Sequence, residues 1–517
     1  MFFSYILLSS IIIPFVAGIG FLTFFKNTDN ILCRSIALLG SALPFIFSII
    51  LYFNFESEIL DSYNYEIIIP IGLESFGIFF HLGLNGISLP LYILSTIVGF
   101  CSICYALFSR TSSKNLYLGL LFVMLSGIIG TFASIDLFFF YFFHEFALIP
   151  TFIMIMIWGG AARQIIALEM TIYLTLGALL SLAGLIAFYS SSGADAFNMI
   201  ALKAAISNQS ISSIAQNNIF PLLLFGFGIL VSLFPFHSWA PKGYGAAPTG
   251  AVMMHAGVLK KFGIYGLIQI AIPFMPIGAE NYLIYLLVLG LCNILVIGLI
   301  TIAQNDLKKM LGYSSIMHMG YAFIGLGTFS VLGVGGVVLL IVAHGLSVAL
   351  LFLLSTMIYH RYETFNMKNM GGLGVHAPNL SLVFGLAILA SVGLPGFANF
   401  WGELMIFTAL AESETTKWVL YFAVLGIVIS AVYGLNAIAS IVFGKPSAVV
   451  KEKHNKGEKI DMNFNEKFCS SLLVFFLIII GVFPRLITDT INDYLESSHE
   501  INEAINLCYT LFLFVNL

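Results

Sequence analysis

The sequence predicts an all-α polytopic membrane protein with about fourteen transmembrane helices, and three observations lead to this fold class. Of its 517 residues, 60% are hydrophobic and 9% are charged, whereas a soluble domain has roughly 25% charged residues. The apolar residues fall into fourteen runs, each close to the ~20 residues that an α-helix needs to cross a bilayer. The basic residues between these runs are concentrated in alternate connections.

The fourteen runs are predicted to be helices because backbone groups inside a bilayer find no water and must pair within their own segment. The first run has no basic residue before it and is long enough to span, so we expect a transmembrane helix there rather than a cleaved leader. The runs cover about 4–25, 35–54, 84–109, 116–133, 137–158, 166–189, 219–239, 249–273, 282–303, 311–329, 334–359, 379–410, 418–444 and 468–487.

The distribution of lysine and arginine predicts the orientation of the chain. The smaller set of connections holds only Lys203, Lys417 and Arg485, together with much of the acid. Because basic loops remain in the cytoplasm, we expect the other set to be cytoplasmic and both termini to lie on the opposite side. That other set holds Lys26, Arg34, Arg110, Lys114, Arg163, Lys242, Lys308, Lys309, Arg361, Lys368, Lys445, Lys451, Lys453, Lys456, Lys459 and Lys467.

Several kinds of site are disfavoured by the sequence. The six cysteines fall mostly in apolar runs, and Cys101 and Cys104 form a CxxC pair flanked by Phe and Tyr rather than by further ligands. We expect buried, unreactive thiols there and no metal site. No glycine-rich nucleotide loop follows a strand pattern, and nothing indicates binding of nucleic acid.

Few ionisable residues remain inside the apolar runs. A lysine at the centre of a spanning helix costs ~2.5–3.5 kcal/mol, so charges kept at that depth usually mark an ion or proton path. We therefore expect function from the Glu and Lys residues, whereas a single intramembrane histidine is at least as often a packing residue. The residues are Glu145, Lys260, Lys261 and Glu403, with His144, His255, His318 and His344 beside them.

Two apolar runs contain breaks that predict discontinuous helices. The seventh run holds Pro235, followed by His237, and the twelfth holds Pro395 and Gly396 shortly before Glu403. Proline removes a hydrogen bond from a helix interior and bends or ends the helix. Broken helices at matching places in two halves of a transporter indicate inverted repeats with the ion site at the breaks.

The breaks lie five helices apart and divide the chain into four expected parts. Residues 1–115 hold helices 1–3, and residues 116–273 form a first inverted repeat of helices 4–8. Residues 274–444 form the second repeat, helices 9–13. Residues 445–517 comprise a flexible polar cytoplasmic linker up to residue 467, helix 14, and a tail whose apolar end is expected to be an interfacial or packed helix.

Several motifs taken together resemble a known superfamily. Across residues 80–445 they are HLGLNGISLPL, the helix with Glu145, SLFPFHSWAPKGYGAAPT, HAGVLKKFGIYG, NDLKKMLGYSSIMHMG, the run with His344, and GLPGFANFWGEL. Their order is similar to that in the antiporter-like membrane subunits of respiratory complex I and of Mrp-type cation/proton antiporters. The chain is most similar to the subunit M, or mitochondrial chain 4, branch of NADH-quinone oxidoreductase, because Glu403 stands where the related subunits usually have a lysine.

This resemblance implies a proton-pumping subunit of an NADH:quinone oxidoreductase, coupled to electron transfer elsewhere. No redox active site is expected on this chain, so FMN, iron–sulfur clusters and quinone would be bound by partner subunits. The implied partners are antiporter-like membrane-arm subunits on both sides, and lipids. The implied location is a bacterial inner (plasma) membrane.

The resemblance also implies roles for individual residues. Glu145 matches the helix 5 glutamate of the family, Lys261 the central lysine of helix 8, and Glu403 the carboxylate on the exit side. His318 and His344 match the polar residues that link the two halves of the subunit.

One position departs from the family pattern. The lysine that is usual in helix 7, five residues before the proline, is Leu230 here. We therefore expect Lys260 to supply the missing cation to Glu145, because adjacent helix residues point ~100° apart and Lys260 and Lys261 could face different partners.

Three alternatives stay open at this stage. The first is a cation/proton antiporter subunit of the Mrp type, which Glu403 and the lack of a carboxylate cluster for Na⁺ oppose. The second is a non-pumping structural subunit, for which Leu230 is the support and the retained buried charges are the counterargument. The third is an electron donor other than NADH, because the donor site would lie on another chain.

Overall fold

The computed structural model describes residues 1–25, 30–56, 63–109, 111–456 and 460–497. Within these ranges the chain is almost entirely helical, as predicted, with one hairpin of strands β1 (Asn64–Ile69) and β2 (Phe80–Leu84). The helices are α1 (Phe2–Thr23), α2 (Ile31–Phe53), α3 (Ser88–Phe108), α4 (Lys114–Ala133), α5 (Leu137–Trp158), α6 (Arg163–Ser192), α7 (Met199–Asn208), α8 (Ser213–Val231), α9 (Trp239–Ala246), α10 (Thr249–Gly257), α11 (Phe262–Gly266), α12 (Ile272–Phe274), α13 (Pro276–Asn281), α14 (Leu283–Cys292), α15 (Gly298–Ile302), α16 (Leu307–Leu326), α17 (Val331–Tyr362), α18 (Leu373–His376), α19 (Pro378–Ser391), α20 (Ala398–Glu412), α21 (Lys417–Ala423), α22 (Leu425–Val442), α23 (Ala448–Asn455), α24 (Phe464–Val482) and α25 (Arg485–Ser497).

Twelve helices of the described chain are long and apolar enough to cross a membrane. The other two predicted spans are helical as well, but one is less apolar and the other is divided into two helices. Helix α16 has 20 residues but includes two lysines and a histidine, which make it more polar than the other spans. The twelfth predicted span is divided into α19 and α20. The total of fourteen spans and the inverted repeats therefore remain predictions, whereas both predicted helix breaks are present.

Helix α17 runs through the centre of the bundle. It has 32 residues and no proline, which gives a length of ~48 Å at 1.5 Å per residue. Its most apolar 18-residue stretch is completely buried, because α10, α16, α20 and α24 pack around it. His344 lies near its middle and Arg361 in its last turn.

The loop charges divide the bundle into two ends. The basic end carries Lys114 and Arg163 at the starts of α4 and α6, and Arg361 at the end of α17. The acidic end carries the hairpin and α25, and the first residues of α1 lie there as well, since the rings of Phe3 and Tyr65 are 5.8 Å apart. Of the predicted cytoplasmic residues, Lys26, Arg110 and Lys459 lie outside the described ranges, as does the apolar end of the tail.

The hairpin and α25 are parts of the fold that the spanning runs did not predict. After the buried Asn64, partly buried and exposed residues alternate along β1, which is the pattern of a strand with one face on a core. Within the hairpin, Nε2 of His81 lies 2.7 Å from Oε1 of Glu66. Helix α25 is tied to the start of α3, because Nδ2 of Asn85 donates to the hydroxyl of Tyr494 at 3.1 Å.

The polar segment predicted to be a flexible linker contains helix α23. The hydroxyl of Ser447 accepts a hydrogen bond from the backbone of Val450 at this helix's first turn. On the last turn, Nζ of Lys453 lies 2.7 Å from Oε1 of Glu363 and donates to the carbonyl of His360 at 3.0 Å. These contacts hold the segment against the end of α17, so residues 448–455 are not a free linker.

A buried ion pair joins α17 to α24 at the basic end. The guanidinium of Arg361 donates from Nη1 and Nη2 to the two carboxylate oxygens of Glu466, both at 2.8 Å. Its Nε donates to the carbonyl of Ile460 at 2.8 Å. The same carboxylate caps α24 by accepting from the backbone N–H of Asn463. We call this set of contacts the basic-end clasp.

Replacing Glu466 with Ala is expected to lower the free energy of unfolding by about 3–5 kcal/mol, since it leaves a buried guanidinium without its carboxylate. Denaturant unfolding of the purified protein in detergent measures the loss. The matched control is Glu452→Ala, which removes an exposed pair with Lys456 and should cost about 1 kcal/mol at most. Equal losses for the two variants would show that the clasp contributes no more than a surface pair.

Candidate functional site

The lysine pair lies where the eighth predicted helix changes its winding. Helix α10 ends at Gly257, a 3-10 turn covers Leu259–Lys261, and α11 follows. The turn lets Nζ of Lys261 donate to the backbone carbonyl of Ala256 at 2.8 Å. Lys260 is 2% exposed and its Nζ lies 5.8 Å from the centre of the Tyr244 ring, with no hydrogen-bond partner among the described residues.

The first helix break is held together by a buried asparagine. Helix α8 ends at Val231, and Ser232 follows with a φ of 70°. Oδ1 of Asn293 accepts from the backbone N–H of Phe234 at 2.8 Å, and its Nδ2 donates to the carbonyl of Ser232 at 3.2 Å. Asn293 is fully buried and begins a π-helical segment, Asn293–Ile297. The side chain thus satisfies backbone groups that the interrupted helix leaves unpaired.

The residues just after this break lead toward the lysines. His237 is partly buried and its ring stacks on Phe234 at 5.6 Å. The indole of Trp239 donates to the carbonyl of Ile229 at 3.2 Å, which caps the end of α8. The ring of His255 then packs against Trp239 at 5.8 Å and against Tyr244 at 5.5 Å.

Two histidines and a carboxylate meet in the second half of the chain. The rings of His318 and His344 are stacked with their centroids 5.4 Å apart. Nε2 of His318 lies 3.9 Å from Oε1 of Glu403. Nε2 of His344 lies 3.0 Å from the hydroxyl of Ser315. Both histidines and Glu403 are at most 5% exposed, so the surrounding protein separates these three groups from bulk solvent.

The second helix break holds the carboxylate of Glu403. Gly393 has a φ of 83°, and a Cβ placed on it would lie 2.6 Å from Oε2 of Glu403. Both the backbone conformation and the close carboxylate therefore require glycine at this position. Pro395 and Gly396 lie on the outer surface of the break. Inside it, Nδ2 of Asn399 donates to the hydroxyl of Ser347 on α17 at 3.4 Å.

Glu145 stands apart from the lysines. Its side chain is 35% exposed, and among the described residues it pairs with His144, whose Nδ1 lies 3.3 Å from Oε1 of Glu145. The carboxylate borders a cavity between α5 and α6. The sequence had predicted that Lys260 pairs with Glu145, but the structure does not bring the two side chains together. Helix periodicity left the rotation of α5 about its axis undetermined, and Glu145 is on its outer side.

The fold and the site together define a class: a polytopic helical membrane protein with a row of buried ionisable residues between two broken helices. The family model described as "NADH:quinone oxidoreductase/Mrp antiporter, TM" matches residues 134–430. Because this match covers more than half of the chain, the protein belongs to that family.

Relatives and a solved structure agree with this family. NAD(P)H-quinone oxidoreductase chain 4 of Gloeobacter violaceus is 33% identical over 425 residues, which cover 81% of this chain and 78% of the relative. NADH-quinone oxidoreductase subunit M of Rickettsia conorii is 32% identical over 445 residues, covering 84% and 88%. A chain of respiratory complex I from Thermus thermophilus with bound NADH superposes with a TM-score of 0.83 at 26% identity, covering 95% of this chain and 99% of the other.

Three polar residues of the site were missed by the sequence reasoning, which considered only ionisable groups. They are Asn293, Ser315 and Asn399, and each is fully buried. The two asparagines lie in runs that are otherwise mostly apolar. A buried amide needs hydrogen-bond partners, so an asparagine in a spanning run was the available signal.

Replacing Asn293 with Leu is expected to remove the contacts that hold the first break and to leave the N–H of Phe234 unpaired. An unsatisfied buried group costs about 1–3 kcal/mol, which denaturant unfolding in detergent measures. The control is Asn281→Leu, which removes an exposed amide that donates to Asn217. If Asn293→Leu is as stable as the control, the asparagine does not hold the break.

Proposed function

We propose that this chain is the proton-translocating membrane subunit of an NADH:quinone oxidoreductase. The observation that carries the proposal is the buried group of His318, His344 and Glu403, placed within one helix bundle with the lysine pair. Family membership supports the reaction class, since the two relatives carry the names of quinone oxidoreductase subunits. The chain would then sit in the membrane arm among antiporter-like subunits and lipids, and no nucleic acid is involved.

The redox reaction would take place on partner subunits that bind FMN, iron–sulfur clusters and quinone. Among the described residues, no group of histidine, cysteine or acidic side chains is arranged to hold a metal ion. With the redox reaction on partner subunits, coupling would reach this chain through conformation or electrostatics. The membrane would be the bacterial inner membrane, with the basic end in the cytoplasm and both termini outside it.

The proposed path takes a proton from the basic end to Lys260 and Lys261. From there it would pass to His344 and His318, and it would leave by way of Glu403. The last step of this path would span the 3.9 Å between Nε2 of His318 and Oε1 of Glu403. Pro235, His237, Pro395 and Gly396 would act as the hinge and gating residues, because they lie at or next to the two breaks.

The work done against the membrane potential sets how much the proton affinity of a carrier must change. Moving one proton outward costs ~2.3 kcal/mol for each 100 mV of opposing potential. One pKa unit corresponds to about 1.4 kcal/mol, so the coupling must change the proton affinity of a carrier by about one to two units. Forming and breaking a buried ion pair acts on that scale, because the protein interior screens charge weakly.

The break in the second half offers a way to make that change. Glu403 lies against Gly393, while Asn399 in the same half-helix is hydrogen-bonded to α17. A rotation of α20 about the break would alter the separation of Glu403 from His318 on α16. With the pair closer, a charged carboxylate and imidazolium stabilise each other; with the pair apart, that stabilisation is lost.

A second candidate function is a cation/proton antiporter subunit, because the matching family model includes the Mrp antiporters. The two functions differ in what drives transport. A pump subunit moves protons only during electron transfer, whereas an antiporter subunit moves protons when a Na⁺ gradient is applied without NADH.

Replacing Glu403 with Gln is expected to lower NADH-driven proton transport about tenfold or more, since a general acid–base group commonly contributes ~100-fold or more to a proton-transfer rate. The assembled complex is reconstituted in vesicles, and acidification and NADH oxidation are followed in parallel. The matched control is Glu412→Gln, the same substitution on the exposed end of the same helix α20, which should leave transport unchanged.

Two results would contradict the proposal. An unchanged proton-to-electron ratio in Glu403→Gln would mean that protons do not pass through this residue. Proton movement that follows an imposed Na⁺ gradient in the absence of NADH would favour the antiporter function instead.

A further inference from the structure

An apolar groove opens between α2 and α24 at the acidic end of the bundle. Its volume is about 220 Å³. Ile49 and Phe53 of α2 line one wall, and Phe476 and Ile479 of α24 line the other. Because Phe53 is 78% exposed, the groove is accessible from the outer surface of the chain. We call this cavity with its lining residues the α2–α24 groove.

The floor and the edge of the groove are apolar as well. Ile93 of α3 and Leu346 of α17 lie at the floor, and Leu486 of α25 lies at the edge. The hydroxyl of Tyr52 donates to the backbone carbonyl of Leu486 at 2.6 Å, which fixes the first turn of α25 beside the groove. None of the described lining residues is charged. An apolar cavity disfavours water, so an apolar group is the expected occupant.

The sequence that follows α25 contains a short apolar run. Residues 498–503 read SHEINE and are mostly polar, and residues 504–517 read AINLCYTLFLFVNL. Both stretches lie outside the described ranges. The apolar run is shorter than the ~20 residues that a helix needs to span the bilayer. Burial of its leucine and phenylalanine side chains is nevertheless favourable, so the run needs an apolar surface that it can reach without spanning.

Helix α25 delivers the chain to the surface of the bundle. Ile487, Ile491 and Leu495 follow one another at four-residue intervals and are buried, whereas Asp489 and Asp493 are exposed. Residues four apart share one face of a helix, so α25 lies with its apolar face on the bundle and its acidic face outward. The run that follows α25 therefore begins at the acidic end, where the α2–α24 groove opens.

The connection between α25 and the apolar run is long enough to return to the groove. Thr490 lines the groove, and α25 ends at Ser497, which is ~10 Å further along the helix at 1.5 Å per residue. The six residues 498–503 can extend over ~20 Å. They include Glu500 and Glu503, which suit the acidic end. The run can thus enter the groove without any charge crossing the membrane.

We propose that residues 504–517 pack into the α2–α24 groove and cover it. The short connection keeps the run beside the groove, so its binding is intramolecular and has a high effective concentration. The run also carries Phe512 and Phe514, and the walls of the groove carry Phe53 and Phe476. Aromatic pairs stabilise each other beyond the area that they bury. These two features favour the run over the acyl chain of a lipid.

The packed segment also supports the central helix. Val342 and Leu346 line the groove, and each is two positions from His344 on α17. Two positions correspond to a rotation of ~200° about the helix axis, so these side chains lie on the face of α17 that is turned away from His344. The segment therefore holds α17 from behind, while the ring of His344 stacks on His318 on the other side.

The first test is photo-crosslinking in the native membrane. Phe53 is replaced with p-benzoylphenylalanine, which keeps an aromatic ring on the wall of the groove. After irradiation the chain is purified and digested, and mass spectrometry identifies the attached group. We expect attachment to a peptide from residues 504–517 of the same chain. The matched control carries the same crosslinker at Val428, which is 60% exposed on α22, and should not yield this peptide.

The second test fills the groove. Adding Ile93→Trp to the chain with the crosslinker at Phe53 should lower the yield of the 504–517 adduct at least fivefold, because the larger ring occupies the floor. Ile93→Leu, which conserves the side-chain volume, should leave the yield unchanged. Equal yields in the two variants would overturn the inference, as would adducts at Phe53 with lipid or another subunit and none with the 504–517 peptide. Neither test depends on NADH oxidation or on Glu403, so a failure here leaves the proposed function intact.

Discussion

Charged side chains inside this bundle depend on helices that do not run straight. The backbone groups in the interior of a regular helix are already paired with one another, so they offer little to a charged side chain. Where α10 gives way to a 3-10 turn, a carbonyl becomes available and the ammonium of Lys261 binds it. Where α19 ends at the second break, Gly393 makes room for the carboxylate of Glu403. Irregular backbone and buried charge therefore occur together, since each supplies what the other lacks.

Two buried asparagines stabilise the helix breaks without adding charge. Asn293 takes up backbone groups at the first break, and Asn399 connects the second half-helix to α17. An amide has both donors and acceptors, so it can satisfy N–H and C=O groups without adding a charge. The first break is thereby fixed to the ninth predicted helix. The second break is attached to α17. Pro395 and Gly396, on the outer side of this break, are exposed.

Much of the fold could be predicted from the sequence, because a spanning run is defined by length and hydropathy alone. The two breaks followed from Pro235 and Pro395. The hairpin was missed since its strands are too short to resemble a span. Helix α23 was missed because the contact that holds it, between Lys453 and Glu363 at the end of α17, joins residues far apart in the sequence. For the candidate site, the ionisable residues in apolar runs included His318, His344 and Glu403, which the structure places close together. The sequence had paired Glu145 with Lys260, and the structure does not, because the direction of a side chain around its helix depends on how that helix packs against its neighbours.

Helix α17 has one more property that follows from its position. Because its most apolar 18-residue stretch is enclosed by protein on every side, that stretch has no lipid-facing side where a substitution would leave the packing unchanged. It also lacks a proline at which it could bend. Arg361 of the basic-end clasp and the buried His344 therefore lie 17 residues apart on one unbroken helix, which is ~26 Å at 1.5 Å per residue. A displacement of the clasp along the helix axis would reach the histidine without being absorbed by a bend.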